Sequence, residues 1–272
     1  MRFKFFILFA FLLLGGVSSL RAQTTAEKPA EKEKQESGKQ KAADATKNFT
    51  AEQIAESTVV IYGGLGGRAT LNQIRKTTLE RGKISVVNAE GKTEQANYER
   101  WIMRADTLDK ERIRFEQEFP SAKYALIYAN DKIFGLYNDA VFVPREDASK
   151  AFENQIWHGL EALLRFKENG STLQLAGRDK ILGVDFYMLD VTDKQKRKTR
   201  FYISSKTFRV MMVEYAEGET KYRRKFYDYN YAQGTLVPFR SVLWANDKQI
   251  EETEVQTITF GQKVEENIFQ GS

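Results

Sequence analysis

Val59-Val60-Ile61-Tyr62-Gly63-Gly64-Leu65-Gly66-Gly67-Arg68-Ala69-Thr70 has two readings, and the choice between them decides the fold. From Gly64 it spells G-x-G-x-x-A, a permitted form of the dinucleotide-binding fingerprint. The apolar run Ile84-Ser85-Val86-Val87 follows, and Glu90 stands near where a ribose-binding acid would fall. The upstream residues point the other way. Thr50-Ala51-Glu52-Gln53 has the form of a capping box, and Ile54, Thr58 and Ile61 recur at helical spacing. Val59-Val60-Ile61 therefore reads as the last turn of a helix, ended by a left-handed residue at Gly63 or Gly64. Leu65 to Ile74 reads as a second short helix with Leu65, Leu71 and Ile74 pointing inward. A dinucleotide fold would need a strand before the glycines and further strand–helix units after them. The chain offers one long helix among many strands, so the glycines read as a joint and Glu90 as a turn residue.

Beyond Lys76 the pattern is alternation. In Arg112-Ile113-Arg114-Phe115-Glu116-Gln117-Glu118-Phe119, Ile113 and Phe115 share one face, as in a half-buried strand. Further strands are predicted over Asn97–Met103, Tyr124–Tyr128, Ile133–Tyr137, Thr172–Gly177, Asp185–Val191, Arg200–Ile203, Phe208–Tyr215, Lys225–Tyr231 and Leu236–Trp244. Short polar turns such as Ala89-Glu90-Gly91-Lys92 and Ala129-Asn130-Asp131-Lys132 make neighbours antiparallel. One helix, Ala148 to Lys167, interrupts them, with Phe152, Ile156, Leu160, Leu163 and Leu164 as its apolar stripe. Asn154, His158, Glu161 and Arg165 fall opposite, which predicts a solvated surface for the chain's one histidine.

Several strands are apolar on both faces, more than a sheet with one solvated face requires. Either helices cover one face while aromatics shield the other, or a cavity between a curved sheet and its helices accepts an apolar ligand. Trp101, Phe115, Phe134, Phe152, Ile156, Leu160, Leu189, Met212, Phe239 and Trp244 are the candidate lining residues. Met103, Met211 and Met212 would let such a lining adapt to different acyl shapes.

The N-terminus bounds the setting. Arg2 and Lys4 precede an unbroken apolar run, Phe5 to Leu14, then small residues and Leu20-Arg21-Ala22, the layout of a secretory signal peptide cleaved after Ala22. An uncleaved anchor is the alternative, although the run is shorter than the roughly 20 residues that span a bilayer. Residues 23–47 hold almost no apolar side chain and mix both charge signs, which predicts a disordered linker or a solvated charged helix. A folded domain is then expected over residues 48–272. With no cysteine, thiol catalysis, thiolate metal sites, disulfides and a lipid-bearing N-terminal cysteine are excluded. The net charge of +5 falls to +2 when Arg2, Lys4 and Arg21 leave with the leader, so nothing demands nucleic acid.

Four segments of the C-terminal half carry a family resemblance. The hairpin Gly177-Arg178-Asp179-Lys180-Ile181-Leu182-Gly183-Val184-Asp185-Phe186-Tyr187-Met188-Leu189 is the first, and Phe201 to Val210 the second. Tyr227-Asp228-Tyr229 with Gly234 and Pro238, then Glu266-Asn267-Ile268-Phe269, complete the set. Together they resemble the periplasmic outer-membrane lipoprotein carrier (LolA/LolB-like) superfamily. The resemblance implies an α+β fold, an antiparallel sheet curled into an open half-barrel and capped by two short N-terminal helices and one longer helix. It also implies a periplasmic binder of acyl chains from a lipid or lipoprotein, without catalysis, metal or cofactor. The alternative on the same scaffold is an envelope sensor or adaptor that grips a protein partner.

Two basic clusters, Lys194, Lys196, Arg197, Lys198 and Arg200, then Lys221, Arg223, Arg224 and Lys225, would meet a membrane surface or an acidic envelope protein if adjacent. Interspersed acids favour solvated hairpins instead. A hydrolase would need an activated serine or a carboxylate pair. No G-x-S-x-G elbow is present, and Asp185, Asp190 and Asp228 read as structural pairing partners.

Overall fold

A computed structural model describes residues 49–88 and 90–271. The expected signal peptide, the charged linker and the first residue of the expected domain lie outside the described residues.

Among the described residues, thirteen strands form one antiparallel sheet. They are β1 (Thr77–Val87), β2 (Thr93–Met103), β3 (Arg112–Glu118), β4 (Lys123–Ala129), β5 (Lys132–Tyr137) and β6 (Ala140–Phe142), then β7 (Thr172–Ile181), β8 (Val184–Thr192), β9 (Lys198–Ser204), β10 (Val210–Glu217), β11 (Thr220–Ala232), β12 (Thr235–Ala245) and β13 (Lys248–Phe260). Their order is β6-β5-β4-β3-β2-β1-β13-β12-β11-β10-β9-β8-β7. Two meanders are thus sewn together where the first strand pairs with the last, Thr78 opposite Phe260 and Val86 opposite Glu251. β6 and β7 do not meet, so the sheet stays an open half-barrel in an α+β fold. The hairpins that carry the family resemblance are β7–β8, β9–β10 and β11–β12, and Glu266–Phe269 is a closing 3-10 turn.

Helix α1 (Ala51–Gly63) starts at the capping box: the Gln53 amide donates to Thr50 Oγ1 at 3.2 Å and the Thr50 amide to Gln53 Oε1 at 2.9 Å. Gly64, at φ 62°, ends it where a side chain would be strained. A 3-10 turn then leads into α2 (Gly67–Ile74). The glycines are a joint between helices, and Glu90 sits in the turn between β1 and β2. Leu65 was expected to point inward. It is fully exposed, because the joint itself occupies Gly64–Gly66 and leaves Leu71 to anchor α2.

The expected single helix over Ala148–Lys167 is two: α3 (Glu146–Trp157) and α4 (Leu160–Leu164). Gly159 makes the break in extended backbone, and a Cβ there would lie 2.7 Å from the Gln155 carbonyl oxygen. The corner carries its polar residues into the protein, so Asn154, His158 and Arg165 are buried rather than solvated.

Both sheet faces carry apolar clusters, and helices cover the inner one. On the inner face, α1 and α4 pack Ile54, Val59, Tyr62 and Leu163 against Leu189, Phe201, Ile203 and Leu236. Farther along, Phe152 and Ile156 of α3 pack on Ile113, Phe115 and Tyr128. The outer face has two smaller clusters, one closed by Phe269 over Ala125, Ile127 and Leu136, the other made by Phe186, Tyr202 and Met212. Two-sided apolar strands follow from that arrangement.

Candidate functional site

Between the α3–α4 corner and strands β1, β2, β11, β12 and β13 lies a cavity of about 230 Å³. Apolar atoms make up most of its lining, with Ile102, Phe152, Ile156, Leu160, Phe226 and Phe260 among the contributors. Of the ten sequence candidates, Phe152, Ile156 and Leu160 line it. Phe115 stands behind them, its ring stacked on Phe152 at 6.1 Å between centroids. Leu189 is fully buried in the core under α1 and α4. Trp101 and Phe134 pack with the Phe269 cluster on the outer face, as does Met103. Met212 and Met211 belong to the other outer cluster. Phe239 and Trp244 are half-buried on β12, and Lys225 lies over the Trp244 ring at 5.1 Å.

Charged lining residues are what the sequence reading missed. Arg75, Arg100, Arg104 and Arg224 line the cavity with Glu80, Glu111, Glu161 and Glu251. At one end Glu161 bridges two guanidiniums, accepting from Arg75 Nη1 at 2.9 Å and from Arg104 Nη2 at 2.6 Å. Arg165 donates to Glu111, whose carboxylate is also 4.0 Å from Arg104 Nε. At the other end Arg100 Nη2 donates to Gln155 Oε1 and Arg224 Nη1 to Glu251 Oε1 at 2.8 Å. Burial pushes the Glu111 carboxyl up to about 7, against the pull of Arg165 and Arg104. Burial also acts to raise Glu161, but Arg104 and Arg75 outweigh it and hold that carboxyl below its ordinary value. One signal for these residues was present: in Tyr98-Glu99-Arg100-Trp101-Ile102-Met103-Arg104, a period of two puts both arginines on the face of Tyr98 and Ile102.

His158 closes the corner. Its ring stacks on Tyr215 at 4.0 Å, and Nδ1 is 2.6 Å from Thr199 Oγ1. Burial lowers its pKa to about 4, so the imidazole is neutral near pH 7 despite Glu217 Oε1 at 3.7 Å from Nε2. The basic clusters outside are mostly ion-paired. Lys198 and Arg200 both meet Asp190, Arg197 meets Asp193, and Arg223 meets Glu214 and Asp247. Asp228 pairs with Arg240, and Asp185 lies 3.9 Å from Lys180. Among the described residues no helix is long and apolar enough to cross a membrane.

The architecture is shared with solved structures at low identity. A DUF1329 family protein from Desulfovibrio piger superposes with a TM-score of 0.58 at 12% identity, over 81% of this chain and 97% of that one. A LolA superfamily protein from Nitrosomonas europaea gives 0.58 at 14%, over 82% and 98%. A putative outer membrane lipoprotein-sorting protein domain from Vibrio parahaemolyticus gives 0.51 at 12%, over 81% and 95%. At such identities the likeness is one of fold. No family model and no curated protein matches the sequence.

Proposed function

We propose that the chain is an exported, non-catalytic carrier or binder that works in the periplasm and holds the acyl chain of a lipid or lipidated protein between sheet and helices. The observation that supports this reading is the mostly apolar cavity under the α3–α4 corner, in a fold shared with a lipoprotein-sorting domain structure. Phe152, Ile156 and Leu160 would contact the chain, with Phe115 as backing. The volume, about 230 Å³, falls just below the roughly 300–1,000 Å³ of common small-molecule sites, which suits one chain better than several.

Native mass spectrometry of protein exported with its own leader and recovered from a bacterial periplasm tests the reading. A discrete adduct of acyl-chain mass, removed by organic extraction, is the expected result. Leu160→Trp, which places an indole in the cavity, should abolish the adduct while leaving the circular dichroism spectrum intact. A clean apo mass, unchanged after incubation with fatty acids and phospholipids, would overturn carriage and turn the search to protein partners.

A further inference from the structure

We infer that the cavity selects an anionic amphiphile, one whose carboxylate or phosphate head is held by Arg75 and Arg104 while its tail follows the apolar lining. The inference rests on the acyl-chain reading above and adds the class of head group.

Its first support is a local imbalance of charge. At the Glu161 end, three guanidiniums, those of Arg75, Arg104 and Arg165, bond with two carboxylates, those of Glu111 and Glu161. At the Gln155 end the counts match, Arg100 and Arg224 against Glu80 and Glu251. The Arg75 and Arg104 side chains are each only 9% exposed, so water screens the excess positive charge poorly. Protonation of Glu111, whose carboxyl burial holds up near 7, enlarges the excess.

A second support is hydrogen bonding. The Nε–H groups of Arg75 and Arg104, like those of Arg100 and Arg165, are buried and find no acceptor among the described residues, but only Arg75 and Arg104 donate to one shared carboxylate. Arg75 already spends Nη1 on Glu161 and Nη2 on the Leu236 carbonyl, which fixes its plane against the cavity wall. Arg104 is held by Glu161 through Nη2, while its Nη1 makes only long bonds, 3.5 Å each, to the Leu71 carbonyl and Asn72 Oδ1. Two guanidiniums tied to one carboxylate are necessarily close together, and their remaining donors suit an oxyanion with several lone pairs. A neutral ester or alcohol could satisfy a donor but not the charge. The apolar path begins beside them, since Leu160 precedes Glu161 on α4, and Ile102 of β2 lies two residues before Arg104, just past the strand's end.

The test needs three ligands of equal tail on delipidated protein: dodecanoate, dodecyl phosphate and dodecanol, titrated calorimetrically near pH 7.5. At least one anion should bind about tenfold tighter than dodecanol, the scale of one charge-assisted contact. The tighter of the two anions names the head, carboxylate or phosphate. Equal affinity for all three overturns the anionic head and leaves acyl carriage standing. Binding of none overturns carriage itself. Arg104→Met should bring the anion down to the affinity of dodecanol without changing dodecanol, and Arg75→Met should do the same. Unchanged anion affinity in both variants sinks the assignment, and the wild-type comparison decides the matter if neither variant folds.

Discussion

Two stretches of the same sheet face lie under helices and are filled differently. Beneath α1 and α4, sheet residues such as Leu189, Phe201, Ile203, Val210 and Val213 have no exposure at all. Beneath the α3–α4 corner, the inward positions of β1, β2, β11 and β13 include Glu80, Arg100, Arg224 and Glu251, and a cavity remains. Both stretches obey the same alternation, so alternation is not what separates them. Apolar side chains interdigitate from any direction and close a layer to interior density. Guanidinium–carboxylate pairs demand fixed directions and hold their elements at the separation of the pair. The first stretch is therefore a closed core, and the second keeps a cavity.

The largest expected effect tests that contrast directly. Phe201→Ala should cost about 3–5 kcal/mol in urea unfolding, because its rigid surroundings collapse little into the hole. Ile102→Ala, beside space that already exists and only half-buried, should lose no more than about 1.5 kcal/mol. Equal losses would mean that the cavity is closed in solution and the contrast false. Next comes Glu161→Gln, which takes away the anion shared by Arg75 and Arg104 while keeping the side chain's shape. Its loss should be about 2–4 kcal/mol, the carboxylate being partly exposed. Added dodecanoate should restore more stability to this variant than to the wild type, since it supplies the missing charge. Equal gains in both would detach Glu161 from the ligand.

What was legible in the sequence follows the same division. Period-two apolar patterns and polar turns located most strands, and the Thr50 capping box with Gly64 turned a nucleotide-like motif into a helical joint. β13 escaped because Glu251, Glu252 and Glu254 look like a solvated segment, yet it pairs with both β1 and β12 in mid-sheet. Its acids are matched by neighbours distant in sequence, Arg224 to Glu251 and Arg240 to Glu252. The candidate site was half legible for a related reason. Hydrophobicity marks Phe152, Ile156 and Leu160, and alternation puts Phe115 on the face of Ile113, but the strand patterns alone give the other bulky candidates no face. Trp101 and Phe134 alternate away from Ile102 and Ile133, a fact that the register with α3 alone makes useful. Helical periodicity also ran through Gly159 as if α3 continued, and so placed His158 in solvent.

His158 gives the smallest and sharpest prediction, because a second group opposes it. Its folded pKa of about 4 lies below the ordinary 6.5, with Glu217, Arg197, Asp193 and Tyr215 as the charged or titratable groups around it. Between those values the unfolded chain takes up a proton that the native ring refuses. The neutral ring's contribution is whole above pH 6.5 and is lost as pH falls toward 4, by at most about 1.4 kcal/mol per pH unit. Glu111 runs the other way: its folded pKa of about 7 exceeds the ordinary 4.5, so the native state holds the extra proton and loses stability as pH rises through that window. From about pH 5 to 6 the two slopes should nearly cancel in the wild type. His158→Phe keeps a ring on Tyr215 and removes one slope, so its urea midpoint should fall, relative to wild type, as pH rises from 5 to 6. Glu111→Gln should show the opposite tilt. Parallel curves for all three proteins would mean that water reaches the corner, and that neither group is as enclosed as the cavity reading requires.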